Sequence, residues 1–226
     1  MPSTIPLVLF GGSFDPIHES HLWMAHTVFQ QLTHHGIQPE IRFLPTACSP
    51  FKTTQTSAKH RLTMLKLALR DTPFLIDKTE IHLPPPNFTI DTLGLIRARI
   101  GLERPLIFVM GQDSLESLPR WKGGFELLDK THLWIFPRMN SDKAESVMLD
   151  DALQSRQVLN VENLSESANG LIYLDHQTPP NLSSSEVREH AKKSDFVKLL
   201  KKSLPPRVFE YNRKTKLYGG TTQYES

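Results

Sequence analysis

"LVLFGGSFDPIHESHLWMAH", residues 7–26, passes from an apolar strand through Gly11 and Gly12 into a helix carrying His18 and His21. A chain that leaves a strand on two glycines can turn sharply and present backbone N–H groups to an anion. The segment is not GxGxxG and lacks the GK[ST] ending of a P-loop, so neither fingerprint applies. Asp15-Pro16 adds a rigid turn, and residues three apart share a helix face. Two imidazoles there, beside free N–H groups and the positive helix end, suit a phosphate that gains charge as it reacts. Two other readings stay open on the residues alone. Histidines at i and i+3 could share a metal, although "HESHL" is not HExxH and no cysteine or clustered ligand lies nearby. They could also be ordinary surface histidines, as His26, His34 and His35 are expected to be, in a chain that has ten.

Outward from this segment, short apolar runs alternate with helix-period stretches, which predicts an α/β fold with a parallel sheet wrapped by crossover helices. Strands are predicted at 5–10, 40–45, 105–110, and in "FLID", "THLWIFP" and "GLIYLD". Helices are predicted at 21–36, closed by Gly36, and after Ser57, with Leu62, Leu65 and Leu69 on one face. Further helices are predicted near "TIDTLGLIRARIG", past the prolines at 84–86, and in "PPRVFEYNRK". Residues 140–168 are polar and irregular, and are read as a surface helix and a loop. The chain is read as one domain over 1–226, with a core of about 5–190 and a helical C-terminal part over about 191–218. In such sheets ligands bind beyond the carboxyl ends of the strands. There the unusual segments fall: Gly11 to His21, Thr46 to Lys52, Gly111 to Trp121, and Ser183 to Arg188.

Composition narrows the class. At 226 residues the chain can bury a full core. Its apolar runs are strand-length, far short of a membrane span. The start "MPSTIPLVLFGG" carries no basic leader, so no signal peptide is expected. Cys48, the single cysteine, excludes an internal disulfide and fits a reducing, cytoplasmic setting. A formal charge of +2 gives no argument for nucleic acid. The basic residues between Lys192 and Lys216 read as a solvated helical surface. Oligomeric state cannot be read from the sequence.

"GGSFDPIHESH" resembles the GG[ST]FDPxHxGH signature of the nucleotidyltransferases. "SAKHRLTMLKLAL" (57–69), "NFTIDTL" (87–93), "GQDSLESLPRW" (111–121), "THLWIFPR" (131–138) and "NLSSSEVRE" (181–189) follow in the order and spacing of bacterial nicotinate-nucleotide adenylyltransferases. The likeness runs from about residue 7 to 218. It implies a Rossmann-like sheet and adenylyl transfer from ATP, with Mg²⁺, to nicotinate mononucleotide, giving deamido-NAD and pyrophosphate. His18, His21 and Arg188 would be the catalytic residues. Gly11, Gly12, Ser13, Phe14, Ser20, Gly111, Asp113, Ser184 and Ser185 would meet ATP, Asp113 at the ribose hydroxyls. Trp121 would stack on the pyridine ring, the backbone at Thr89 would meet its carboxylate, and Lys52 and Arg138 would attend the mononucleotide phosphate. No resident metal site is expected.

Each of these residues also has a plainer reading. "SSSEVR" is a capped helix start with Glu186 in the first turn. Trp121 could be a core residue, Asp113 a helix N-cap, and Thr89 the cap of its own helix, while Lys52 and Arg138 could be ordinary exposed cations. Ser20 departs from the family's Gly, and its Cβ and hydroxyl are expected to be accommodated because both histidines are retained. "TACSPFK" departs as well, with Phe51 in place of a polar histidine and Thr46 and Ser49 in place of other expected residues. The alternatives are a relative acting on nicotinamide mononucleotide or phosphopantetheine, or a nucleotide-binding module without catalysis.

Overall fold

The computed structural model describes residues 5–47, 56–84, 86–137, 151–191 and 197–219. Its frame is a seven-stranded sheet: β1 (Leu7–Gly12), β2 (Glu40–Pro45), β3 (Leu75–Ile76), β4 (Leu106–Gly111), β5 (His132–Phe136), β6 (Gln157–Val158) and β7 (Ile172–Leu174). The order is β3-β2-β1-β4-β5-β7-β6, with every neighbouring pair parallel. Strands β1, β4 and β5 are buried along most of their length because both faces of the sheet are covered. Their period of two sorts side chains into two layers. Val8, Phe10, Ile107, Val109, Trp134 and Phe136 face one layer, while Leu7, Leu9, Leu106, Phe108, Leu133 and Ile135 face the other.

Helices α1 (Glu19–His34) and α2 (Ala58–Ala68) cover the first layer with Ala25, Val28, Leu32, Met64 and Leu65. Helices α3 (Thr89–Ile100) and α4 (Gln112–Ser117) cover the second with Ile90, Leu93, Ile96 and Leu115. After the short α5 (Asp151–Gln154) come α6 (Ser184–Ala191), α7 (Val197–Ser203) and α8 (Pro206–Thr215). Their residues Val187, Leu200, Val208 and Phe209 join the same apolar cluster as β1. Among the described residues no helix is long and apolar enough to cross a membrane.

Three differences from the sequence reading have local causes. Helix α1 begins at Glu19, two residues before its apolar stripe, so His18 is the N-cap and His21 the third helical residue. On α2 the buried face runs through Arg61, Met64, Leu65 and Leu69, leaving Leu62 only half-buried. Strand β6 lies in the stretch read as irregular; at two residues it is too short to carry a periodic signal.

The chain direction along the sheet reverses between β1 and β4, and both strands end in glycine at the same edge. A crevice opens there because the helices following the two strands leave to opposite faces. At the exit of β7, Asp175 accepts from Trp134 Nε1 (2.9 Å), Gln31 Nε2 (2.9 Å) and the Gln177 backbone (2.8 Å). These bonds direct the following loop and α6 back over β1.

Candidate active site

The crevice between β1 and β4 is a cleft of about 700 Å³. Gly11, Gly12, Ser13 and Phe14 form one wall, Gly111, Asp113, Ser114 and Trp121 another, and Thr46, Glu80, Asn87 and Thr89 close one end. The glycines differ in what requires them. A Cβ on Gly11 would stand 2.5 Å from the Phe108 ring, so packing alone demands glycine there. A Cβ on Gly111 would meet nothing within 4 Å and would point into open space. Gly111 precedes α4 in an extended conformation, and Asp113, exposed, is the second residue of that helix rather than its N-cap.

Between β1 and α1 the chain runs through Phe14, which has a left-handed φ of 47°, and a cis Asp15–Pro16 bond. Such a φ is uncommon outside glycine and is held here by packing. The Phe14 ring is buried, 5.4 Å from Phe43 and edge-on to His21 at 5.1 Å. The His18 and His21 rings stack with centroids 3.7 Å apart. The His18 backbone N–H donates to His21 Nδ1 at 3.2 Å, so His21 carries its proton on Nε2 and offers that N–H as a donor. His21 is in the cleft wall; His18 is buried against it and is not itself in the wall. Ser20, the second residue of α1, is also buried and does not line the cleft. Ser20 was expected to meet ATP, and its burial in the first turn of α1 sets it apart from the cleft wall instead.

Helix α6 reaches this loop from the other side. Ser183 caps it, accepting from the Glu186 backbone (3.2 Å) while its own N–H donates to the Glu186 carboxylate (2.8 Å). The cap is therefore one residue before Ser184 and Ser185. Ser184 Oγ donates to the Pro16 carbonyl at 3.0 Å. Arg188 donates through Nη1 to the Asp15 carbonyl (2.7 Å) and through Nη2 to Ser185 Oγ (3.1 Å). The structure thus gathers His18, His21, Ser184, Ser185 and Arg188 around one loop.

At the other end of the cleft Thr89 is the first residue of α3, whose cap position is Phe88. Trp121, half-buried, lines the cleft and donates Nε1 to Ser117 Oγ at 3.2 Å. Lys122 pairs with Asp91 (2.8 Å) and lies 5.0 Å over the Phe88 ring. Lys52 and Arg138 fall outside the described residues, as do Ser49 and Phe51.

Sequence reasoning missed two residues that shape the site. Arg61, fully buried, donates to the carbonyls of Ser13 (2.8 Å), Thr46 (2.7 Å), Ala47 (3.1 Å) and Thr56 (3.3 Å). It ties the loop after β1 to the loop after β2. Its signal was present: a charged residue on the apolar face of α2. Glu80, buried in the cleft wall, stands in a short turn with no periodic signal.

Burial sets the ionisation of three groups. It lowers the His18 imidazole to about 3. It also lowers His132 to about 4, where Nε2 donates to the Ser167 carbonyl (2.9 Å) and Nδ1 accepts from the Leu171 backbone (3.1 Å). Glu80 is raised to about 7, chiefly by burial, against the Ala47 backbone bond and the nearby Arg61 charge. Both histidines take up protons in the unfolded chain below 6.5 but not in the folded one, so their stability is lost as pH falls. Glu80 acts oppositely: the folded protein keeps its proton to about 7 while the unfolded chain releases it near 4.5. Stability should therefore decline gently from pH 6.5 to 4.5 and faster from 4.5 to about 4, where Glu80 no longer opposes and both histidines are still neutral in the folded protein. In Glu80→Gln the upper part of that decline should steepen. Thermal melts across this range check it, and equal slopes in both proteins would contradict the assignment.

The cytidylyltransferase-like family model matches residues 9–190 of this chain. A protein of Hahella chejuensis named "Probable nicotinate-nucleotide adenylyltransferase" is 36% identical over 216 residues, covering 95% of this chain and 96% of the relative. A protein of Yersinia pestis with the same name is 36% identical over 215 residues, covering 94% of each. Among solved structures, the Plasmodium falciparum nicotinic acid mononucleotide adenylyltransferase complexed with NaAD aligns with a TM-score of 0.69. It is 21% identical and the alignment covers 96% of this chain and 98% of that one, a likeness that speaks for the Rossmann-like fold. A family match over most of the chain, and relatives aligned end to end, agree with the glycine-edged crevice and its paired histidines: the chain belongs to the cytidylyltransferase-like family and, within it, to the nicotinate-nucleotide adenylyltransferases.

Proposed function

We propose that this protein transfers the adenylyl group of ATP to nicotinate mononucleotide, releasing pyrophosphate and forming deamido-NAD. The observation that carries this reading is the His18–His21 stack at the start of α1, with His21 in the wall of a cleft large enough for two nucleotides. A phosphate oxygen of the mononucleotide attacks the α-phosphorus of ATP, and the bond from that phosphorus to the β-phosphate bridging oxygen breaks. The nucleophile is already an anion, so the protein needs no general base. Its task is positioning and stabilising charge on the transferring phosphoryl group.

His21 Nε2–H donates to the α-phosphate as its charge builds. Buried and neutral, His18 fixes that ring through its backbone N–H and its stacked face. Arg188, held on Asp15 and Ser185, keeps further N–H groups for the β- and γ-phosphates, which the N-terminus of α6 also meets. ATP enters as its magnesium complex. The phosphate end of the site presents N–H and hydroxyl donors, while the Asp15 carboxylate is occupied by Tyr218 and that of Glu186 by the Ser183 N–H, so the ion would come with the nucleotide. Gly111 and Asp113 take the adenosine, Asp113 accepting from the ribose hydroxyls. Trp121 stacks on the pyridine, and the α3 N-terminus at Thr89 faces its carboxylate. Lys52 and Arg138 attend the mononucleotide phosphate.

Gly111→Val tests the adenosine end. The added side chain enters open space in a permitted conformation, so the melting temperature should stay near that of the parent. The KM for ATP should rise about tenfold or more, because the volume it fills is the nucleotide's. The function itself is tested by following pyrophosphate and dinucleotide with ATP, Mg²⁺ and, separately, nicotinate mononucleotide, nicotinamide mononucleotide or phosphopantetheine. Preference for the acid is expected. Turnover with another acceptor would keep the chemistry and overturn the substrate. Binding of ATP with no turnover on any of the three would leave a nucleotide-binding module.

A further inference from the structure

Asp15 is almost wholly buried, yet it lies in the loop that must receive a triphosphate. A carboxylate in that position opposes the phosphates unless its charge is occupied. Its partner comes from the far end of the chain: the Tyr218 hydroxyl donates to Asp15 Oδ1 at 2.7 Å, across 203 residues of sequence. The backbone is bent to make this contact. Lys216 and Tyr218 both take left-handed φ values, 51° and 64°, which side-chain-bearing residues seldom adopt. The phenol is largely buried, with its oxygen 3.9 Å from Met64 Sδ, and burial together with the Asp15 charge pushes its ionisation well up, so it stays a donor. The Asp15 main-chain carbonyl, meanwhile, accepts from Arg188 Nη1. One residue therefore receives two donors, a neutral phenol on its carboxylate and a guanidinium on its carbonyl.

We infer that Tyr218 is a positioning residue for nucleotide binding: by occupying the Asp15 carboxylate it keeps Arg188 on the Asp15 carbonyl, with its remaining N–H groups free for the phosphates of ATP. This rests on the reading of Arg188 as a phosphate ligand. Without the phenolic O–H, the buried carboxylate has a vacant acceptor in a poorly solvated place, and Arg188, already on the carbonyl of the same residue, is a cation at hand to satisfy it. A guanidinium drawn onto Asp15 is lost to the triphosphate. The C-terminal turn thus belongs to the ATP site although it does not line the cleft.

Equilibrium dialysis with labelled ATP and Mg²⁺ tests this without any mononucleotide. Tyr218→Phe keeps the ring and removes the O–H, and the Kd for ATP should rise about tenfold, the worth of one hydrogen bond to a charged group. The KM for the mononucleotide should not move. In an Asp15→Asn background the carboxylate charge is gone, so adding Tyr218→Phe should cost little more in ATP affinity. An unchanged Kd with only a lower melting temperature would overturn the inference. So would an undiminished loss in the Asp15→Asn background. Should Tyr218→Phe alone not fold, the comparison of Asp15→Asn with the double variant decides: a double variant that folds and binds ATP like its parent supports the inference, and one that does not refutes it. A parent protein that fails to bind ATP would instead strike the adenylyl-transfer reading.

Discussion

His21→Ala is expected to reduce kcat by about a hundredfold or more, the usual loss when one well-aimed donor to a developing charge is removed. The effect should fall on kcat and kcat/KM alike, because the donor's work is done as charge builds on the α-phosphate. Folding should suffer little. The bond from the His18 backbone, an orphan donor at a helix start, is worth about 1 kcal/mol. His18→Ala should show a comparable loss of turnover for a different reason. Its ring is buried and stacked on His21, so removing it leaves a hole and an unsupported catalytic ring, with about 2 kcal/mol of stability lost as well. Steady-state kinetics and thermal melts on both variants separate the two roles. Turnover near that of the parent in His21→Ala would remove the centre of the proposed mechanism.

The second large effect is structural and concerns Arg61. Arg61→Met keeps the volume and the apolar stem but leaves the carbonyls of Ser13, Thr46, Ala47 and Thr56 without their common donor. With each buried orphan costing about 1–3 kcal/mol, and water reaching some of them, the net loss should be about 4 kcal/mol. For a chain of this length that lowers the melting temperature by roughly 10 °C. Both loops at the mouth of the cleft depend on this one guanidinium, so the KM values for both substrates should rise together. Arg61→Lys should restore less than half of the stability, since one ammonium cannot fork onto carbonyls of separate loops. A melt indistinguishable from the parent in Arg61→Met would show that the loops hold themselves.

Much of this was legible in the sequence because it was written in periodicity and in glycine. The runs at 7–12 and 106–111 are apolar on both faces, and a covered parallel sheet uses such strands. The exits at Gly11, Gly111 and Ser183 marked where a ligand could lie, and the histidines three apart marked what it carries. What stayed hidden was whatever depends on partners distant in sequence. Arg61 stood out only as a charge on the apolar face of α2, and nothing local says that it meets Ser13 and Thr46. Asp15 read as half of a turn, with no sign of Tyr218. His18 and His21 were expected side by side on a helix, whereas one is the cap and the other the third residue, a distinction of backbone conformation that spacing does not carry. The division between Gly11 and Gly111 was equally invisible: one glycine is imposed by Phe108 and the other by empty space.

The central place of β1 bears on how the chain comes into being. Strand β1 leaves the ribosome ahead of both its neighbours, gaining one at 40–45 and the other only at 106–111, and the turn that follows it waits for Arg188 and Tyr218. At cellular rates of elongation that interval is about ten seconds or more, during which "LVLF" is a sticky segment in search of an edge. Chaperone demand should thus be front-loaded, falling once β4 has been made. A chain that stops between β7 and Tyr218 has its strands made but leaves the Asp15 carboxylate without its phenolic donor. Such chains should bind ATP more weakly than one that carries the turn at Tyr218.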